Sequence, residues 1–277
     1  MKKFTVTHED ELLNYLFKLD LNMSKSKIKS LLKHDCIAIN NKPTSQFNAK
    51  VEKGQVISII PYNYRRNLPF DIIFEDEQLI VINKPHGMMT VGSDKKGNLS
   101  AFDHVQEYLQ EKYKNNTLFV LHRLDRDTSG VLMFAKDKGK QQYLQNHWNQ
   151  VVKRREYLAI IPGKMKPEQG TIKSLLAEDE KSTMVYSVAE DGKEAITHYK
   201  TIRANDKFSL LEVTLETGRK NQIRVHLSEA GHPIIGDKKY FSKHNPIQRM
   251  GLHSRELIVG KQKFIAPTPR VFRNIVK

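Results

Sequence analysis

A chain of 277 residues has room for one medium-sized domain and a small second one, and its formal net charge of +15 points to a polyanionic partner, nucleic acid or an anionic membrane surface. No apolar run approaches the ~20 residues of a membrane span, and the N-terminus turns acidic where a secretory signal needs an apolar stretch. The single cysteine, Cys36, excludes an intrachain disulfide and a cysteine-built zinc site, so the expectation is a cytoplasmic RNA or DNA binder that does not engage a membrane.

In chain order, Glu9 to Asp20 is predicted as a short amphipathic helix with Leu12, Leu13, Leu16 and Phe17 on one face. A second helix starts at Ser24, a capping residue type, and buries Ile28, Leu31 and Leu32. Lys25, Lys29 and Lys33 recur every four residues and form a stripe down its side. Such a stripe is either a plain solvated face or a grip on phosphates. Strand-like Cys36–Asn40, a turn at Asn40-Asn41 and a strand from Val56 to Ile60 follow. Pro61 to Pro69 has proline at both ends and no apolar period, so it reads as a linker; Arg65 and Arg66 within it are solvated or on phosphate. Ile72–Phe74 and Leu79–Ile82 flank an acidic turn as a hairpin. Leu99 to Tyr113 is an amphipathic helix capped by Ser100 and packed by Phe102, Val105, Tyr108 and Leu109. Thr117–Val120 and Val131–Ala135 read as buried strands joined by a turn at Asp127–Gly130. Lys138 to Gln150 is a polar helix in which Trp148 is expected to anchor packing rather than to stack on a base. A strand then runs through residues 151–163 after the basic cluster Lys153–Arg155, short strands occupy the 170–201 stretch, and Phe208–Leu215 alternates as another.

The anomaly in this pattern is the end of the Thr117–Val120 strand. His122, Arg123, Asp125 and Arg126 stand where a plain hairpin would place apolar residues, and burying charge is costly unless it is paired. Arg–Asp pairs also decorate strand ends without function, so chemistry alone leaves both readings open. The string His122-Arg123-Leu124-Asp125-x-x-Thr128-Ser129-Gly130 resembles the signature of pseudouridine synthases acting on ribosomal and transfer RNA, specifically the large-subunit ribosomal RNA family. The resemblance implies that Asp125 is the catalytic residue.

Further matches extend this resemblance along the chain. Asn83-Lys84-Pro85-x-Gly87-Met88 matches an element of the family, although Val91-Gly92-Ser93 stands where a His-Pro pair is usual. Lys84 either closes the floor of the site or is an ordinary loop lysine. Tyr157, Ala159 and Gly163 fit a strand motif that implies a pocket role for Tyr157. Thr217 to Tyr240 follows the other long signature, with Asn221 in place of a histidine; asparagine cannot titrate, so proton transfer there is not expected. By the same resemblance Arg219 is the partner of the Asp125 carboxylate, Ile223 an apolar contact under the base, and Arg123 a wedge that fills the gap left by a flipped nucleotide. The N-terminal lysines with the following strands resemble the small RNA-binding module of the ribosomal protein S-four type. The implied architecture is α+β. A small α/β RNA-binding module at residues 1–61 and a linker at 62–69 precede a catalytic domain at 70–277, a mixed, mainly antiparallel sheet with flanking helices and a central cleft.

The reaction implied breaks the bond from uracil N1 to ribose C1′, turns the base over and rejoins it through C5. It needs no redox cofactor, metal or nucleotide, and the chain carries neither a dinucleotide-binding glycine motif nor a P-loop. It does need a carboxylate that stays ionised, which a planar arginine fork favours. Asp125 then attacks as a nucleophile or assists loss of the base to a glycal. The partner expected is RNA, large-subunit ribosomal RNA first and transfer RNA as the alternative, bound by a monomer. Two other classes compete: a metal-dependent nuclease using Asp125-x-Asp127, and a non-catalytic ribosome-associated protein.

Overall fold

The structure, a computed structural model, describes residues 2–33, 35–59, 68–92, 97–112 and 117–277. The chain divides into two compact units, Met1–Leu68 and Pro69–Lys277. The linker segment with Arg65 and Arg66 falls at residues 60–67, outside the described residues, as does the last residue of the Val56–Ile60 strand.

In the first unit β1 (Lys2–Thr5), β2 (Asp10–Glu11), α1 (Leu12–Lys18), α2 (Lys25–Lys33), β3 (Ile37–Ile39), β4 (Lys42–Thr44), β5 (Lys50–Val51) and β6 (Val56–Ile59) follow in order. A sheet of order β1-β6-β3-β4 carries the two helices, and β2 pairs with β5. The first helix starts at Leu12 rather than Glu9 because Asp10 and Glu11 are extended against Val51 and Lys50. Ser24 Oγ accepts the Lys27 N–H at 3.2 Å, which starts α2 as its residue type demands. Ile28, Leu31 and Leu32 then join Leu12, Leu16 and Ile57 in one core, leaving Lys25, Lys29 and Lys33 exposed. The β3–β4 turn uses Asn40 and Asn41 at φ 48° and 66°, a left-handed pair that asparagine tolerates.

The second unit is built on one large mixed sheet. Its strands are β7 (Ile72–Glu75), β8 (Leu79–Lys84), β9 (Phe119–Val120), β10 (Ser129–Ala135), β11 (Val152–Pro162), β12 (Gln169–Glu178), β13 (Val185–Val188), β14 (Lys193–Ala204), β15 (Phe208–Leu215), β16 (Leu252–Val259) and β17 (Gln262–Ile265). The main order is β13-β12-β14-β15-β11-β16-β10-β8-β7, with β17 on β16 and β9 on β10. Helices α3 (Ala101–Lys112), α4 (Lys138–Asn146), α5 (Trp148–Val151), α6 (Gln222–Glu229) and α7 (Arg270–Asn274) flank it. The expected α+β class, with a mainly antiparallel sheet, is what this chain forms. Two local expectations change. The single helix expected over 138–150 breaks at His147 into α4 and α5. The turn after the His122–Asp125 string is closed by the Thr128 N–H on the Asp125 carbonyl at 3.1 Å, so Ser129 and Gly130 already belong to β10.

Among the described strands every pairing is antiparallel except β10 with β16, which join in parallel only at Ser129↔His253 and Gly130↔Ser254. That short seam unites the β7-β8-β10 side with the β16-to-β13 side, and the loop carrying Asp125 enters β10 there. β10 is buried along its whole length, matching its unbroken apolar run. Gly130 sits at φ +113°, and a Cβ there would collide with the backbone of Ser254. Gly130→Ala is therefore expected to destabilise the second unit by roughly 3 kcal/mol or more, combining backbone strain of about 1–3 with overpacking of about 1–3. Urea unfolding followed through Trp148, the sole tryptophan, measures it, and an unchanged midpoint would contradict the seam.

Candidate active site

The string Leu121–Thr128 forms an irregular loop held from both sides. Thr90 Oγ1 donates to the Leu124 carbonyl at 2.7 Å and accepts the Leu124 N–H at 3.1 Å, a buried two-way clamp. On the other side Lys84, fully buried at the end of β8, donates to the carbonyls of Arg126 (3.0 Å), Pro85 (3.0 Å) and Met88 (2.7 Å). Burial pushes Lys84 down to about 7, with Asp127 and Asp125 pulling it back up. Three carbonyls around one Nζ match the three protons of an ammonium group. Lys84 is thus neither an exposed loop lysine nor a wall of the site; it ties the loop after β8 to the residue following Asp125.

Between these clamps the Asp125 carboxylate turns outward, its side chain 34% exposed, and Oδ2 accepts Arg224 Nη1 at 2.8 Å. The expected partner was Arg219, and the structure corrects that assignment. Arg219 precedes the left-handed residue Asn221 (φ 55°) that starts α6, and its Nε donates to the Glu194 carbonyl at 2.9 Å. Arg224 lies in the first turn of α6 and reaches Asp125. Its other edge grips Asp237 in bidentate fashion, Nε to Oδ2 at 2.7 Å and Nη2 to Oδ1 at 2.8 Å. Asp237, 1% exposed, also accepts the N–H groups of Lys239 and Tyr240 at 3.1 Å each. Asn221 Oδ1 takes a second bond from Arg224 Nη1 at 3.0 Å, while its Nδ2 donates to the Tyr240 hydroxyl at 3.1 Å. The Tyr240 ring lies 5.1 Å from the guanidinium carbon. Burial works against the charge of Arg224, but Asp237 first and Asp125 second outweigh it and raise its pKa above the ordinary arginine value.

Arg123, Asp125, Tyr157, Arg219 and Ile223 all line one small cavity of about 80 Å³ beside the carboxylate, together with Arg224. It shares Arg123, Asp125 and Tyr157 with a larger cleft of about 910 Å³. Ile223 is buried on α6 and Tyr157 half-buried on β11. Burial raises the Tyr157 phenol above its ordinary value, with the Arg155 guanidinium pulling it down, so the hydroxyl stays protonated at neutral pH. Asp127, the other half of the D-x-D spacing, takes Arg126 Nε at 3.2 Å. Among the described residues no three metal-ligating side chains converge.

The family model for RNA pseudouridylate synthases matches residues 78–229, which span both the Asp125 loop and α6. The chain belongs to the RNA pseudouridine synthase family. It is similar over its length to the uncharacterized RNA pseudouridine synthase YhcT of Bacillus subtilis, 31% identical over 95% of this chain and 91% of that protein. Ribosomal large subunit pseudouridine synthase C of Rickettsia prowazekii is 31% identical over 93% of both chains. Ribosomal large subunit pseudouridine synthase D of Neisseria meningitidis is 31% identical over 83% of this chain and 63% of that protein. Human RNA Pseudouridylate Synthase Domain Containing 4 superposes with a TM-score of 0.61 at 26% identity, covering 73% of this chain and 90% of that structure. This pseudouridine synthase is an isomerase whose substrate class is RNA, and no described helix is long and apolar enough to cross a membrane.

Sequence reasoning placed Asp125 and four residues of its cavity but gave no role to Arg224, Asp237 or Tyr240. A signal was present: Arg224 stands three residues after Asn221, one helical turn on, and so shares its face. Two imidazoles near the loop give this synthase an acid-sensitive fold. Burial lowers His122 and His253 from 6.5 to about 4, so both are neutral at pH 7. Between those values the unfolded chain binds more protons than the folded one, and stability falls as pH drops from about 6.5, levelling off below about 4. Each ring contributes up to about 3 kcal/mol, at about 1.4 kcal/mol per pH unit. Urea midpoints between pH 7 and 4 test this: His253→Asn is expected to flatten the slope, and an unaltered slope would contradict it.

Proposed function

We propose that this enzyme isomerises specific uridines of structured RNA, large-subunit ribosomal RNA first, with Asp125 as its catalytic carboxylate and no metal, redox or nucleotide cofactor. The observation that carries the reading is the placement of Asp125, partly exposed where a small cavity meets a cleft with room for a nucleotide, and in contact with Arg224. The names of the Rickettsia and Neisseria relatives favour ribosomal RNA; transfer RNA is the alternative substrate of the same chemistry.

In this reading the target uridine leaves its stack, at a cost of a few kcal/mol, and enters the cavity beside Asp125. Arg123, exposed at the rim, fills the gap it leaves. Ile223 lies under the base, Tyr157 stacks on it, and Arg219 holds a neighbouring phosphate. A Tyr157 phenol held in its protonated form suits stacking better than accepting a proton. The N1–C1′ bond breaks, with Asp125 as nucleophile or as assistant to glycal formation. The base turns, C5 bonds to C1′, C5 gives up its proton and N1 gains one, so atoms balance. Asn221 orients Arg224 and Tyr240 rather than shuttling protons. The N-terminal unit is read as an S-four-like RNA-binding module whose Lys25, Lys29 and Lys33 grip phosphate, which makes binding salt-dependent. The protein works as a cytoplasmic monomer.

Asp125→Asn and Asp125→Ala are expected to abolish pseudouridine formation in transcribed ribosomal RNA while leaving RNA affinity within a few-fold. Mapping pseudouridines in RNA from cells with and without the gene names the target. Native activity in either variant would remove Asp125 from its role.

A further inference from the structure

The cleft beside the catalytic cavity is larger than one flipped uridine requires. At about 910 Å³ it lies near the top of the range for whole drug-sized ligands, about 300–1,000 Å³, and it extends from Asn221 past Tyr157 to Gln145 and Trp148. A second cavity of about 390 Å³ adjoins it, sharing Trp148, Arg155 and Leu215 as walls and adding Lys153. The residues at this far end differ in kind from those around Asp125. Trp148 is only half-buried and lines both spaces. One neighbour of its indole is the His122 ring, 5.5 Å away between centroids and tilted 42°. His122 is itself fixed, because its Nε2 accepts the Met133 N–H at 3.1 Å. Arg155 and Tyr157 stand two positions apart on β11 and face the same cleft. Arg155 is positioned by the carbonyls of Leu215 (3.4 Å) and Glu216 (2.6 Å) through Nη2, so its charge is not cancelled by a carboxylate there.

We propose that this end of the cleft is a second base subsite, in which a nucleobase flanking the target uridine stacks on Trp148 while its phosphate lies against Arg155 and Lys153. The ligand class is a splayed or single-stranded RNA nucleotide. A stacking face beside an uncancelled guanidinium is the pairing that binds bases without reading their edges. Trp148 then has two duties: its inner side packs on the core with Phe119, Val151 and Val152, and its outer side meets RNA. The subsite rests on the reading of Asp125 as the catalytic group, since it is defined as the neighbour of that pocket.

Because Trp148 is the only tryptophan, its fluorescence reports this surface alone. The full chain carrying Asp125→Asn is titrated with a labelled single-stranded uridine hexamer, and anisotropy and tryptophan emission are read together. Emission quenched in step with anisotropy is the expected result; emission unchanged at saturation overturns the subsite. Trp148→Leu is expected to weaken hexamer binding about 5- to 150-fold, the range of one lost base–aromatic stack, and Trp148→Phe to restore it to within a few-fold. Native-like binding by Trp148→Leu overturns the proposal, and should that variant fail to fold, the quenching measurement on the native indole still decides. For the unsubstituted chain, quenching by the hexamer with no pseudouridine formed in ribosomal or transfer RNA would uphold the subsite and remove the catalytic reading, whereas pseudouridine formation by that chain without quenching would do the reverse.

Discussion

One guanidinium shared by two carboxylates organises the catalytic unit. Arg224 is gripped from behind by a buried Asp237 and faces a partly exposed Asp125. The two contacts do different work. Breaking a buried pair leaves an uncompensated charge and costs about 3–5 kcal/mol, so the Arg224–Asp237 fork fixes where the guanidinium stands. The Asp125 contact is single-pronged and closer to solvent, and leaves the second carboxylate oxygen free of Arg224. A negative group is thereby kept next to an open cavity without being sealed into a structural ion pair.

The backbone around Asp125 is restrained through its own carbonyl and N–H groups. Thr90 clamps the residue before it and Lys84 the residue after it, so the loop has little freedom even though it lacks regular structure. The seam between β10 and β16 supplies the rest. Two strands that pair over only two residues before parting make a natural place for a cleft, and Gly130 permits the close approach that this parting requires. Lys84, Thr90 and Gly130 touch no substrate in this account; they set the carboxylate's position.

Much of this was legible in the sequence, and the exceptions have physical reasons. Elements with an unbroken period or a clear cap, such as β10, β15, α3 and the Ser24-capped α2, lie close to their expected bounds. Boundaries moved where tertiary pairing overrode local pattern: Asp10 and Glu11 carry no strand signal, yet they pair with β5. Charge at the end of an apolar strand marked the loop as anomalous, but only the resemblance of the His122–Gly130 string to a family signature singled out Asp125 within it. Its partner was not legible, because two arginines five residues apart differ only in which side of a left-handed turn they occupy, and the φ of Asn221 is not written in its residue type. Trp148 was read as a packing anchor, and its packing, half-buried, against the core that holds Leu121, Met133 and Leu144 agrees with that. Its second face became visible only when α4 and α5 parted at His147.

Arg224, rather than Arg219, holds the Asp125 carboxylate. The most direct test compares single-turnover pseudouridine formation by Arg224→Lys and Arg219→Lys, since lysine keeps the charge but loses the planar fork. Arg224→Lys is expected to slow the reaction by about 100-fold or more at nearly native RNA affinity, while Arg219→Lys acts mainly on affinity. A native rate in Arg224→Lys, or a larger loss of rate in Arg219→Lys, would contradict it.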